Sequence, residues 1–300
     1  MYLRNDQELL QLRQLNLEMH YQKIVKYLAD HDAPLDYLIS GELAQLQTFA
    51  IPSISSLLQR TKQYQNNGIK RLDDTRAILT ECLSDSVQSP RGEHMVKHLN
   101  WIHSHYDISN DDYLYTLALF IIEPVRWMET FGYRPLCERE KKAGYLAFKS
   151  LGHAMNITGI PESRDEFVAW YLNYRNQNMK FHIDNKLVTD GYIAAIKEMF
   201  PRLFRPIVRP MILTLINDPE LLEATGQKAP LPLVQKLIRG FMAVRRRAQR
   251  YINPWQNKSF EGSYLGQYYK SYPSGYQGCP LGPEKMVKKT TASCPFHISN

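Results

Sequence analysis

The chain has 300 residues, 44% of them hydrophobic, and carries 37 Lys and Arg against 30 Asp and Glu for a formal charge of +7. That is enough apolar material for one large core, and the basic surplus is less concentrated than in a dedicated nucleic-acid binder, so a single compact body with no nucleic-acid partner is expected. The four cysteines, Cys82, Cys137, Cys279 and Cys294, form no close pair and no metal-type spacing, which argues against a disulfide framework or structural zinc and for a reducing, cytoplasmic setting.

The opening stretch, MYLRNDQELLQLRQLNLEMH, carries charges throughout and lacks the apolar core and small-residue cleavage site of a secretory signal, so export by that route is not expected. Helical periodicity then dominates to about Tyr251, and Asn-Gly or Asp-Gly hairpin signals are almost absent; the predicted class is all-α. In KRLDDTRAILTEC, residues 70–82, Arg71, Asp74, Thr75, Ile78 and Cys82 fall within one helical sector that otherwise reads as buried. Buried charge has to be paired. Two readings fit: an Arg71–Asp74 ion pair with Thr75 bonded back to a carbonyl, or a polar patch facing an anionic cofactor.

A helix over 93–106 places Val96, Leu99, His103 and Tyr106 on one apolar stripe and His94, His98, Trp101 and His105 on a broad opposite face. His103 then reads as a core histidine or a ligand. His94 and His98, four apart, read as part of a solvated histidine-rich face, with no third metal ligand nearby. Ser109 with Asp112 opens the next helix in the manner of a capping box. Its apolar run, Tyr113 to Ile122, is about ten residues where a spanning helix needs roughly twenty, so it reads as a buried core helix and no transmembrane segment is expected. Pro124 is expected to kink or end it.

His153, near a helix end, is a reserve ligand or a cap, and Ser163 with Glu166 opens a further helix after the turn NITGIP. VRRRAQR, residues 244–250, reads as a solvated basic face. From Asn253 the composition shifts to Tyr, Gly, Pro and Ser. The expected organisation is a helical body over 1–252 and an irregular tail over 253–300 packed on it, loose after Pro283.

KRLDDT, SPRG, IHSHY, DDYLYTLALFIIEPVRW and YPSGYQGCPLGP, in this order between about Tyr21 and Pro283, together resemble the MpaB-like oxygenases, relatives of the latex-clearing rubber oxygenases. The resemblance implies an all-helical enzyme with b-type haem that cleaves carbon–carbon double bonds of isoprenoid chains with dioxygen. It carries the family's Arg-Leu-x-x-Thr pattern onto Arg71, Leu72 and Thr75, and the proximal iron ligand onto His103 rather than His105. Two departures stand out. Asp74 occupies the place of the rubber oxygenases' distal lysine, and IPSISSLLQRTKQ, residues 51–63, offers no counterpart of their upstream glutamate. The fungal members also have an N-terminal membrane anchor, which the opening stretch does not resemble.

The expected activity is therefore oxidation or cleavage of a double bond in an apolar, isoprenoid-like substrate by a haem-b oxygenase. Arg71, Asp74 and Thr75 are the candidate catalytic residues. His103 is the iron ligand, Leu99, Tyr106, Leu117, Phe120 and Ile121 wall the haem slot together with Thr75, and Arg71, Arg126 and Arg209 are candidate propionate partners. A separate electron donor is compatible with this reading, and the oligomeric state is left open. The rival readings are a non-catalytic haem sensor or carrier, and a cofactor-free helical binding protein.

Overall fold

The structure is a computed structural model that describes residues 3–84, 86–273, 275–276 and 281–283. Eleven principal helices organise it: α1 Leu17–Tyr27, α2 Pro34–Thr48, α3 Pro52–Thr61, α4 Gly68–Ser84, α5 Pro90–His103, α6 Asn110–Thr130, α7 Glu138–Ala154, α8 Arg164–Asn178, α9 Ile183–Met199, α10 Arg205–Ile216 and α11 Pro232–Gln249. The only β-type pairing among the described residues is an isolated antiparallel bridge between Leu3 and Ile252. The all-α expectation holds for a single globular body.

Local chemistry sets the helix starts. α2, α3, α5, α10 and α11 each begin with proline in the first turn, where its missing N–H costs nothing. Ser89, Ser109 and Ser163 accept the backbone N–H of Gly92, Asp112 and Glu166 at 3.1, 3.1 and 3.2 Å, caps worth about 1 kcal/mol each. Two expected boundaries shift. α5 starts at Pro90 and stops at His103, so His105 and Tyr106 lie beyond its end. α6 runs through Pro124 to Thr130: the ring removes one ladder bond and crowds the carbonyl four residues earlier, a cost offset by residues buried on both sides of it.

α2 lies along α6, α1 along α7, α4 beside α5, and α9 against α3 and α4. The core between them is centred on Phe49, Trp127 and Tyr192, all fully buried. A polar knot holds this core: buried Asp36 of α2 accepts from Trp127 Nε1 of α6 at 2.7 Å, from Arg245 of α11 at 2.8 and 2.9 Å, and from Gln249 at 2.8 Å. The basic run at 244–250 is thus a solvated face only in part: Arg247 and Arg250 are exposed, while Arg245 and Arg246 are half-buried. Arg245 is locked on Asp36, and Arg246 and Arg250 reach the carbonyls of Thr130 and Tyr133.

After α11 the described residues run back over the body through individual polar contacts. Asn253 donates to the His31 carbonyl, Phe260 N–H to the Asp30 carbonyl, and Ser271 N–H to Asp73 Oδ2 at 2.7 Å. Leu281 is fully buried, and His98 Nε2–H donates to its carbonyl at 2.9 Å. His98 is therefore a core residue, which overturns its assignment to a solvated face; the chain returning over α5 supplies the acceptor. The expectation of a loose end after Pro283, and Cys279 and Cys294, lie outside the described residues.

Candidate functional site

α4, α5 and α6 enclose a chamber of about 260 Å³ on which seven of the sequence-predicted residues converge with His103: Leu99, Arg71, Asp74, Thr75, Tyr106, Leu117 and Phe120. A single buried water needs roughly 10–15 Å³, so this is space for a ligand and not a packing defect. The walls are mainly apolar, with Phe49, Ile78, Ile102, Phe148 and Leu151 completing them.

His103 is the last residue of α5 and faces Tyr113 of α6, ring centroids 5.4 Å apart. Its imidazole pKa is pulled down to about 4, first by burial and then by the charge of Arg71. A helix C-terminus favours imidazolium by at most about 2 kcal/mol, and burial wins here. The ring is neutral at physiological pH, which is the form that binds a metal. Nδ1 is buried and has no hydrogen-bond partner among the described residues. Neither carbonyl nor carboxylate fixes its tautomer, contrary to the usual arrangement around a ligating histidine.

Across the chamber, Arg71 bonds Thr75 Oγ1, which itself donates to the Arg71 carbonyl at 2.9 Å, and the guanidinium lies 5.6 Å from the Tyr64 ring centroid. The expected Arg71–Asp74 pair does not form. Asp74 is taken by Lys70 at 2.8 and 3.0 Å, by the Tyr272 hydroxyl and by Gly282 N–H at 3.1 Å. Thr75 bonds back to a carbonyl as expected, and among the described residues no carboxylate lies within ion-pair distance of Arg71. A half-buried cation without a counter-charge, facing an apolar chamber, is suited to an anionic ligand group.

Other candidates are not brought to the chamber. Arg126 is held by Glu123 and the Leu215 carbonyl, and Arg209 by Asp190 and Gln227, so each is spent on a partner of its own. Ile121, one position and thus 100° on from Phe120, lines a neighbouring cavity instead. His153 and His105 are exposed, the latter with Nδ1 2.7 Å from the Trp101 carbonyl.

The sequence reading missed Asp112. Beyond its place in the first turn of α6, its buried carboxylate lines the chamber and accepts from Ser53 at 2.7 Å and Tyr174 at 2.9 Å. Nothing in the local sequence distinguishes it from an ordinary capping-box acid, because both donors come from distant helices.

The neighbouring cavity, about 230 Å³, shares Gln45, Thr75, Leu79, Phe120 and Phe148 with the first. Phe120 and Phe148 stack at 5.7 Å between the two. Its one notable acid is Glu42, whose carboxylate accepts from the Tyr192 hydroxyl and whose pKa is raised, chiefly by burial. A carboxyl that ionises less readily folded than unfolded costs stability as pH climbs above the ordinary glutamate range, by about 1.4 kcal/mol per unit of displacement. Glu42→Gln is therefore expected to raise the melting temperature at pH 7 and to leave it unchanged near pH 4; a substitution effect of the same size at both pH values would refute the raised pKa.

Comparison with known proteins decides the family. Residues 35–254 match the model described as "ER-bound oxygenase mpaB/B'/Rubber oxygenase, catalytic domain". The chain belongs to this family. It is 30% identical over 249 residues to ER-bound oxygenase mpaB' of Penicillium brevicompactum, covering 77% of this chain and 59% of that protein. It is also 30% identical over 203 residues to ER-bound oxygenase mpaB of Penicillium roqueforti, covering 62% of this chain and 68% of the relative. The mpaB of Penicillium brevicompactum is 37% identical over 152 residues, 48% of this chain and 39% of the relative. The chain thus spans about three-fifths of the first of these relatives. Among the described residues no helix is long and apolar enough to cross a membrane, and no group of three or more His, Cys, Asp or Glu is placed to hold a metal ion.

Proposed function

We propose that this member of an oxygenase family is a haem-b-dependent enzyme that oxidises or cleaves a carbon–carbon double bond of an apolar, isoprenoid-like substrate with dioxygen. The observation that carries this reading is the pairing of a neutral, half-buried imidazole, His103, with a cation lacking a counter-charge among the described residues, Arg71, across one apolar chamber. When bound, haem b supplies the dioxygen chemistry that side chains cannot.

The residues divide the rest of the work. His103 would hold the iron through its imidazole, and Arg71, steadied by Thr75, would meet the cofactor's carboxylate charge. Asp74 stands at the place that the resemblance gives to the rubber oxygenases' distal lysine, and Lys70, Tyr272 and Gly282 hold its carboxylate, so that position supplies no cation to the chamber. Asp112, accepting from the Ser53 and Tyr174 hydroxyls, fixes a polar edge on the otherwise apolar chamber. The second cavity accommodates the apolar chain of the substrate, with the Phe120–Phe148 stack excluding water between the two spaces. The reading keeps the expectation of a reducing, cytoplasmic setting.

Protein produced with haem available is expected to carry a Soret band that acid-solvent extraction removes, since no Cys-x-x-Cys-His attachment sequence occurs. The ferric spectrum should be mostly high-spin, because His105 and His153 are exposed and, among the described residues, no second histidine lines the chamber. Colourless protein would favour a cofactor-free binding protein; a low-spin bis-nitrogen spectrum would contradict the single-ligand assignment. The missing upstream carboxylate at 51–63 favours a second reading, a haem sensor or carrier. Pigmented protein that forms no oxygen-dependent product from a polyprenyl substrate would establish that alternative.

A further inference from the structure

α11 has two apolar faces. Ile238 and Met242 are buried against the body, with Arg245 locked on Asp36 on the same side. Away from them, Leu233, Leu237, Phe241 and Val244 are each 66–68% exposed. At 100° per residue these four fall within about 80° of one another. Lys236, Arg239, Arg247 and Arg250 occupy the adjoining sector and are exposed as well. No Asp or Glu occurs between Glu223 and Glu261, while eight Lys and Arg do. At the N-terminal end of α10, which packs on α11, Leu203 and Phe204 are also exposed, at 83% and 54%.

From this we infer that the outer face of α11 docks on the surface of an anionic phospholipid bilayer, the leucine and phenylalanine side chains entering the headgroup–acyl boundary and the basic row meeting lipid phosphates. Charge selects the occupant. A two-fold contact with a second copy would bring the basic row against itself or its immediate surroundings, with no carboxylate on the helix to neutralise it. A protein groove that encloses an amphipathic helix needs more of its circumference than α11 has free, whereas a bilayer contacts one side only. The basic row beside an apolar stripe is the pattern that anionic lipid attracts. This inference is independent of the haem reading, since α11 lines neither cavity.

The test uses the purified full chain in flotation with phosphatidylcholine vesicles containing about one-third phosphatidylserine, against pure phosphatidylcholine, at low and high salt. Wild type is expected to float with the anionic vesicles at low salt and to be released by high salt. The pair Leu237→Ser with Phe241→Ser should weaken binding by about tenfold or more, as should Lys236→Gln with Arg247→Gln. Since these side chains are exposed, urea midpoints should stay near wild type. As a readout without loss of apolar surface, Phe241→Trp should shift its emission to the blue and be quenched by brominated lipid. Absence of flotation, flotation unaffected by both pairs, or an unquenched Phe241→Trp would overturn the inference. A dimer that the serine pair dissociates, with no vesicle binding, would assign the face to a second copy instead.

Discussion

His103→Ala is expected to lose most haem and all oxygen-dependent activity, while His105→Ala keeps both. The two histidines are separated by the end of α5: His103 is its last residue and lines the chamber, and His105 lies beyond it, exposed, with its ring near the Trp101 carbonyl. Removing a sole axial ligand costs the iron–nitrogen bond and leaves a metal in an apolar slot, whereas truncating an exposed imidazole should fall within about 0.5 kcal/mol of wild type. The comparison has to be made at equal folded fraction, judged by far-ultraviolet helicity, because the cavity left by alanine could also expel haem through unfolding. Arg71→Leu offers a graded companion, with weakened haem retention and a retained axial bond. A folded His103→Ala protein with a full haem complement and an unchanged Soret band would defeat the assignment.

What could be read in the sequence was what lies on one face of one helix. Arg71, Thr75 and Ile78 recur at helical spacing in α4, and Leu99 and His103 do so in α5, so periodicity alone places them on the chamber wall. Tyr106 reached the same wall although its helix ends three residues earlier, through the turn in which its N–H donates to the His103 carbonyl at 3.0 Å. Most of the failures involve partners far away in the chain, although Arg126 is taken by Glu123 only three residues before it. Nothing near Arg209 announces Asp190, nothing near Asp74 announces Tyr272 or Gly282, and His98 looks solvated until Leu281 returns over it. Lys70, adjacent to Arg71, is the instructive case: the ion-pair reading of Asp74 looked to the guanidinium, yet the flexible ammonium at i,i+4 takes the carboxylate and leaves Arg71 for the chamber.

Asp36→Ala should destabilise the protein by about 3–5 kcal/mol, which is comparable to a large share of a domain's whole stability. The carboxylate is fully buried and receives donors from Trp127, Arg245 and Gln249, so its loss strands a guanidinium and an indole N–H away from water. Asp36→Leu combined with Arg245→Met should cost far less than Asp36→Ala, because it removes both charges and replaces them with apolar volume. Urea unfolding with an unchanged slope would measure both. The knot also ties the site to the fold. Trp127 belongs to the helix that carries Asp112, Leu117 and Phe120, and Asp36 to the helix that carries Gln45, so slackening this joint loosens two chamber walls at once. Haem retention under mild urea should therefore fall earlier in Asp36→Ala than in wild type and recover in the double variant. If Asp36→Ala unfolds within about 1 kcal/mol of wild type, well short of the roughly 3–5 kcal/mol cost of an unpaired buried charge, then Arg245 finds another acceptor and the knot does not hold the three helices together.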